Sequence, residues 1–393
     1  MNFNTLCDEL GMNDHQPISE KLGLLKAWFQ KTVSTDIQFS GDEKEQYQQY
    51  EEATVIYLTL ILPKMHSDME KPNSDLEGES LIAAVVIMGF DQVLRSLNPT
   101  QNIVNIPNKN GLTLLHSAAG HGYLNTTQIL LNLGADSCAL NNQKQYPIFS
   151  ALFMPILDED LPKLKMNKIA IFKLLKDKGN QVLEHQDSNG DTVLHRMALH
   201  GFNDLIDETL ISNPRLASMK NNNTQYPIHT AILNGQEKAV SSLLNENSAD
   251  LADSNGWKPL HFAARQTNNM ILEECLRYPN HLNEPDIHRR TPVMLAAELG
   301  NIEAVATLIS HGAKIDLVDD QGFTVLHHAV KSGNPELVQW LLENAKLDVN
   351  ARDEQNHTPL SLSETVVNES EHMKDIGNLL VQHGAIAASM TYH

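Results

Sequence analysis

The 393 residues carry 29 basic against 49 acidic side chains, a formal net charge of −20, so the field of the whole chain repels nucleic acid and anionic membrane surfaces, and no nucleic-acid partner is expected. Three cysteines, Cys7, Cys138 and Cys275, show neither disulfide nor metal-ligand spacing and point to a reduced cytosol. The longest apolar runs, 53–62 and 81–90, reach about half of the roughly 20 residues that span a bilayer, so they read as buried helices and no transmembrane segment is expected.

In chain order, the first residues, Met1 to Glu9, lack the basic and apolar regions of a secretory signal. Residues 1–74 hold two stretches of helical periodicity, 18–33 and 43–65, with the capping-box pattern Ser40-Gly41-Asp42-Glu43 ahead of the second. They are expected to form a small helical cap. From 75 to 387 the chain repeats itself, and 388–393 is a short tail. Eight versions of one tetrapeptide are visible: Thr113-Leu114-Leu115-His116, Tyr146-Pro147-Ile148-Phe149, Thr192-Val193-Leu194-His195, Tyr226-Pro227-Ile228-His229, Lys258-Pro259-Leu260-His261, Thr291-Pro292-Val293-Met294, Thr324-Val325-Leu326-His327 and Thr358-Pro359-Leu360-Ser361. All but one of the intervals between them lie at 32–34 residues.

Each copy predicts a helix pair. Thr is a good N-cap and Pro fits the first helical position, where its missing N–H costs nothing, so a helix starts at each tetrapeptide. Small pairs such as Ala118-Ala119, Ala263-Ala264 and Ala296-Ala297 allow close backbone packing, and Gly122, Gly201, Gly235, Gly300 and Gly333 supply a left-handed stop. A second apolar run follows, as in 305–309 and 337–342. One such pair cannot bury its own apolar face, so the copies must stack. The pattern resembles the ankyrin-repeat family over roughly 75–387. It implies an all-α solenoid of stacked helix pairs with short β-hairpin turns, about nine repeats if Ser80 to Asn105 is counted as a degenerate first one.

Three departures stand out. The long interval, between 146 and 192, exceeds the period by 13 residues. It places an insertion near 154–166, with Pro155 and Pro162, between a first helix ending near Phe153 and a second starting near Asn167. A smaller insertion falls at Val366 to His372. Gly111, Gly190, Gly256 and Gly322 hold the hairpin position where positive φ is convenient, but Lys144, Thr224, Arg289 and Asn356 replace them elsewhere, so distorted hairpins are expected there.

Chemistry is sparse. No HExxH, Cys-x-x-Cys, GxSxG or GxxxxGK[ST] occurs, and neither a cofactor nor a metal is expected. His116, His195, His229, His261 and His327 share the fourth tetrapeptide position, where the resemblance implies a structural histidine that hydrogen-bonds near the hairpin and helix start. The chain is therefore read as a non-enzymatic scaffold. The family's partner-facing positions, carried over by phase, are the hairpin tips and the exposed face of each first helix. They select Trp257, Arg265, Gln266, His288, Arg290, Glu298, Phe323 and Lys331, an aromatic and cationic patch suited to a protein segment that is acidic and apolar. Two other readings stand beside this one. One places an enzymatic or enzyme-targeting activity in 1–74. The other follows from a likeness to ankyrin effectors that intracellular bacteria inject into host cells, in which the repeats would bind a host protein.

Overall fold

The computed structural model describes residues 81–386 apart from 88, 90, 92–93, 96–97, 155–160, 178–181 and 366–370; the expected cap at 1–74 and the tail at 388–393 lie outside the described residues. The chain divides into two compact units, 1–188 and 189–393. Among the described residues every regular element is a helix.

In the first unit α1 is Leu81–Ile87, α2 Gln101–Val104, α3 Leu114–His121, α4 Leu124–Asn132, α5 Pro147–Ala151 and α6 Leu161–Lys176. Helices α3 and α5 lie side by side, with α4 and α6 packed behind them. In the second unit the first helices of successive repeats are α7 (Val193–His200), α8 (Pro227–Leu233), α9 (Pro259–Ala264), α10 (Pro292–Glu298), α11 (Val325–Ser332) and α12 (Pro359–Thr365). Each packs on the next to form one layer. The second helices α13 (Asn203–Ser212), α14 (Glu237–Leu243), α15 (Asn269–Leu276), α16 (Ile302–Ser310), α17 (Pro335–Asn344) and α18 (Glu371–Gln382) form the other layer in the same order.

The tetrapeptide sets where the first helices begin. Thr113, Thr192, Thr291 and Thr324 stand at the N-cap with extended backbone, and Pro occupies the first turn of α5, α8, α9 and α10. Ala118, Ala119, Ala263, Ala264, Ala296 and Ala297 are almost wholly buried, which lets neighbouring first helices approach closely. Gly122, Gly201 and Gly333 end their helices with φ of 75°, 66° and 70°, as a left-handed cap requires. The exposed end of a first helix is then closed by a donor from the next repeat. Gln236, Asn301 and Asn334 donate to the carbonyls of Leu199, Gln266 and Gly300 at 3.2, 2.8 and 2.9 Å.

Two expectations need correction. The second helix of the insertion-bearing repeat starts at Leu161, not near 167, so part of the insertion extends α6 at its N-terminal end. Within α6, buried Lys168 donates to the carbonyl of Gly120 and closes the end of α3 in place of an amide. The hairpins at Lys144, Thr224, Arg289 and Asn356 are not distorted. These residues take φ of 57°, 61°, 59° and 63°, the same left-handed region as the glycines of the other hairpins. Each repeats the bond that Gly111 makes to Asn108, donating to the carbonyl three residues earlier.

What makes the hairpins alike is an Asn or Asp five residues ahead of every tetrapeptide. One oxygen of Asn108, Asn141, Asn221, Asp253, Asp286, Asp319 and Asp353 accepts from the backbone N–H groups two and four residues on. This turn is a local alternative to a β-ladder and explains why hairpin-like reversals form without a strand among the described residues.

Candidate functional site

The fourth tetrapeptide residue ties each hairpin to its helix. Nδ1 of His116, His195 and His327 accepts the N–H of Thr113, Thr192 and Thr324 at 3.1, 3.2 and 3.1 Å. A ring nitrogen that accepts a backbone N–H carries no proton. The proton therefore sits on Nε2, which donates to Gln145, Gln225 and His357 carbonyls of the following repeat at 3.0, 3.1 and 3.4 Å. His229 reaches the Leu251 carbonyl at 3.0 Å. Met294 Sδ and Ser361 Oγ take the same backbone N–H in their repeats. Burial disfavours the imidazolium: it holds His116 and His327 below the ordinary histidine value and takes His229 to about 3 and His261 to about 4. These rings hold structure.

Several of the residues expected to face a partner gather around Trp257 in the second unit. Its indole packs edge-on against Phe262 at 5.3 Å and stays half-buried. The Arg265 and Arg290 guanidiniums lie 5.2 and 5.7 Å from its ring centre, within cation–π range. Indole Nε1–H donates to Asp286 Oδ2 at 2.9 Å, and Arg290 grips the same oxygen through Nε at 2.9 Å and Nη2 at 2.8 Å. Glu298 then joins the two arginines, at 3.4 Å from Arg265 and 3.5 Å from Arg290. Trp257, Arg265, Arg290 and Glu298, singled out in the sequence, are thus one connected cluster. Asp286, which sequence reasoning passed over, is its buried centre.

Other expected members behave differently. Phe323 is only 8% exposed, so the expectation of a second exposed aromatic at a hairpin tip is corrected. Its ring stacks on His327 at 5.5 Å and meets His328 edge-on at 5.9 Å, with the exposed Lys331 ammonium 4.8 Å above it. It packs at the same five-residue offset that joins Trp257 to Phe262, but the smaller ring does not reach beyond its neighbours. His328, in turn, donates through Nε2 to buried Asp319 at 3.0 Å. His288 points outward and faces Asp320 of the next hairpin at 3.1 Å. Gln266 is partly exposed and contributes its carbonyl to Asn301.

Asp250, His281 and Glu284 form a cluster with metal-ligand geometry. Its centre is already taken by the Lys258 ammonium, which bonds Asp250 at 2.6 Å and Glu284, and lies 3.5 Å from His281. Burial alone would lower the Lys258 pKa; the bonds to the two carboxylates outweigh it and raise the value. The cluster is a socket for a lysine that stands where other repeats have Thr or Tyr.

The family model for ankyrin repeats matches three overlapping spans, 164–251, 194–278 and 272–353, and the single ankyrin-repeat model matches 110–142. The chain belongs to the ankyrin-repeat family. Among similar proteins, human transient receptor potential cation channel subfamily A member 1 is 28% identical over 260 residues, covering 64% of this chain and 22% of that protein. The nuclear factor NF-kappa-B p105 subunit of Gallus gallus is 27% identical over 188 residues, covering 45% and 19%. This ankyrin chain therefore matches about a fifth of the length of either relative. The crystal structure of the ankyrin-repeat domain of Bcl-3 aligns at 27% identity with a TM-score of 0.43, over 50% of this chain and 88% of that one. Among the described residues no helix is long and apolar enough to cross a membrane.

Proposed function

We propose that this ankyrin-repeat chain is a non-enzymatic scaffold that binds a protein segment on the hairpin and first-helix surface of residues 250–335, in the cytoplasm. One observation carries the reading. Trp257, a residue type that commonly anchors interfaces, is held half-exposed by Asp286, Arg265 and Arg290 instead of being folded into the core. A side chain already fixed loses little freedom on binding.

The partner that fits is mainly apolar with acidic residues at its edge. Leu233 and Leu299, 41% and 48% exposed, stand at the ends of first helices on either side of Arg265. Arg290 is committed to Asp286, whereas Arg265 makes one long contact to Glu298 and Lys331 has no carboxylate among the described residues. Arg265, Arg290 and Lys331 face Asp286 and Glu298 together with the hairpin carboxylates Asp253, Asp319 and Asp320, so the patch carries both signs and no strong net positive field. Binding should consequently depend on salt only modestly.

The test is affinity capture from cell lysate with the intact chain beside Trp257→Ala and Arg265→Ala, both at partly exposed positions. The reading expects one protein to be retained by the wild-type chain, lost with Trp257→Ala and weakened with Arg265→Ala. Retention unchanged by both substitutions would move the binding surface elsewhere.

A further inference from the structure

The second helices α4, α16 and α18 are followed by a glycine in left-handed backbone, Gly134, Gly312 and Gly384. Helices α14 and α15 lack one, and the chain runs on into short helical turns, Glu246–Ala249 and Pro279–His281. These turns belong to successive repeats. They bring Asp250, His281 and Glu284 to one point, where a donor atom from each lies within 4.8 Å of the others. A tetrahedral zinc ion with ligands about 2.0–2.2 Å away sets neighbouring ligand atoms roughly 3.3–3.6 Å apart. His281 Nδ1 lies 3.4 Å from Glu284 Oε2 and 4.0 Å from Asp250 Oδ1, so the first edge already fits and the second is slightly wide.

The bond to Lys258 holds Asp250 below the ordinary carboxyl range; burial works to raise Glu284, but bonds to Lys258 and His281 outweigh it and lower the value. Two ionised carboxylates therefore face one ammonium, which offsets half of their charge, whereas a divalent ion would offset all of it. The fold does not need that ammonium. The start of α9 uses the Lys258 N–H, accepted by His261 Nδ1 at 3.2 Å, and other repeats have Thr or Tyr here. A separate sign lies beneath the cluster. Buried His261 Nε2 faces the Glu284 and Arg290 main chain without hydrogen-bond geometry to either, while the same nitrogen of His116, His195, His229 and His327 has its carbonyl. The 281–284 turn is thus incompletely seated on α9, which leaves it room to shift and close the wider edge.

We propose that Asp250, His281 and Glu284 bind a divalent transition metal, zinc foremost, which displaces the Lys258 ammonium and ties two successive repeats together. One imidazole and two carboxylates are ordinary zinc ligands, and three protein ligands leave a fourth position for water. The imidazole favours zinc over magnesium and calcium, which take oxygen ligands. The Asp250 side chain, 66% exposed, gives the ion a way in.

The test titrates Zn2+ by calorimetry and Co2+ by visible absorption into the intact, metal-free wild-type, Lys258→Thr, Lys258→Gln, His281→Gln and Glu284→Gln chains. The sequence holds 18 histidines that offer adventitious contacts, so the site is read from differences between these chains. Wild type should take up one Zn2+ here, show a cobalt absorption band and melt at a higher temperature with Zn2+ present. Both Lys258 variants, freed of the competing ammonium, should bind about tenfold or more tightly, the scale of one charge-assisted hydrogen bond. His281→Gln and Glu284→Gln should lose both the band and the rise in melting temperature. No binding by wild type, equal affinity in wild type and both Lys258 variants, or a cobalt band that survives in His281→Gln or Glu284→Gln would overturn the proposal. Binding confined to the Lys258 variants would do so too and leave the cluster a lysine socket.

Discussion

Asp286 accepts from the N–H groups of His288 and Arg290 at 2.9 and 2.8 Å, from Trp257 Nε1, and twice from Arg290, all around a side chain with no exposed surface. Burial by itself would raise its pKa; these donors together outweigh that and hold the carboxyl below the ordinary range. Its stabilisation is therefore present above pH 4 and is lost as pH falls through the depressed value. Asp286→Ala would take their shared acceptor from the partly exposed Arg290 guanidinium and the Trp257 N–H, leaving Arg290 only its 3.5 Å contact to Glu298, and would remove the acceptor of the hairpin's two turn bonds. We expect a loss of about 3 kcal/mol or more in urea unfolding, with Trp257 fluorescence shifting red in the folded state; a loss below about 1 kcal/mol would mean the cluster is not organised by this carboxylate. Arg290→Glu, an attractive change when the residue is read as a free cation, would act through the same bond and report on folding before it reported on binding. The eight acidic or amide residues five places ahead of each tetrapeptide were legible in the sequence, yet Asn and Asp in turn-rich stretches look like ordinary loop formers. The Trp257 contact to Asp286 spans 29 residues and depends on the stacking distance between repeats, which no local pattern states.

At the scale of the element, helix starts and stops were read well because each follows from a local rule: Pro in the first turn, glycine at the left-handed stop. The start of α6 was misplaced because the period gives only where a regular second helix begins, and the inserted residues extend it backwards. That helix carries a testable consequence. Lys168 is wholly buried, and burial lowers its pKa to about 8. The unfolded chain then binds the extra proton between about pH 8 and the ordinary lysine value near 10.4, so stability attributable to Lys168 rises with pH across that window. Lys168→Met removes both the titration and the donor to Gly120. In chemical denaturation at pH 7 and pH 9.5, the wild-type chain should gain stability relative to Lys168→Met as the pH rises. A constant difference between the two would mean that the ammonium is solvated and that the end of α3 is closed in another way.

For the whole molecule, the repeated histidine couples folding to pH in both units. His116, His229, His261 and His327 each have a pKa lowered first of all by burial. A folded value below the unfolded one, near 6.5, means that stability is complete above pH 6.5 and is lost as pH falls toward the folded values. Each group costs about 1.4 kcal/mol per pH unit below 6.5 until its own folded pKa is reached. An opposing effect exists, because protonation reduces a net charge of −20 and so eases self-repulsion. Those charges are mostly on the surface and are screened over a Debye length of about 8 Å at physiological salt, whereas the penalty at a buried ring is not. The buried term should win. Melting followed by circular dichroism is expected to move down by several degrees between pH 7.5 and pH 5.5, at both low and physiological salt. His261→Met supplies the control, since Met294 already accepts the equivalent backbone N–H through sulfur at 3.4 Å. That variant should start from a lower melting temperature at pH 7.5 and lose less on acidification; equal slopes for the two chains would mean that His261 is protonated in place and that its pH coupling arises elsewhere.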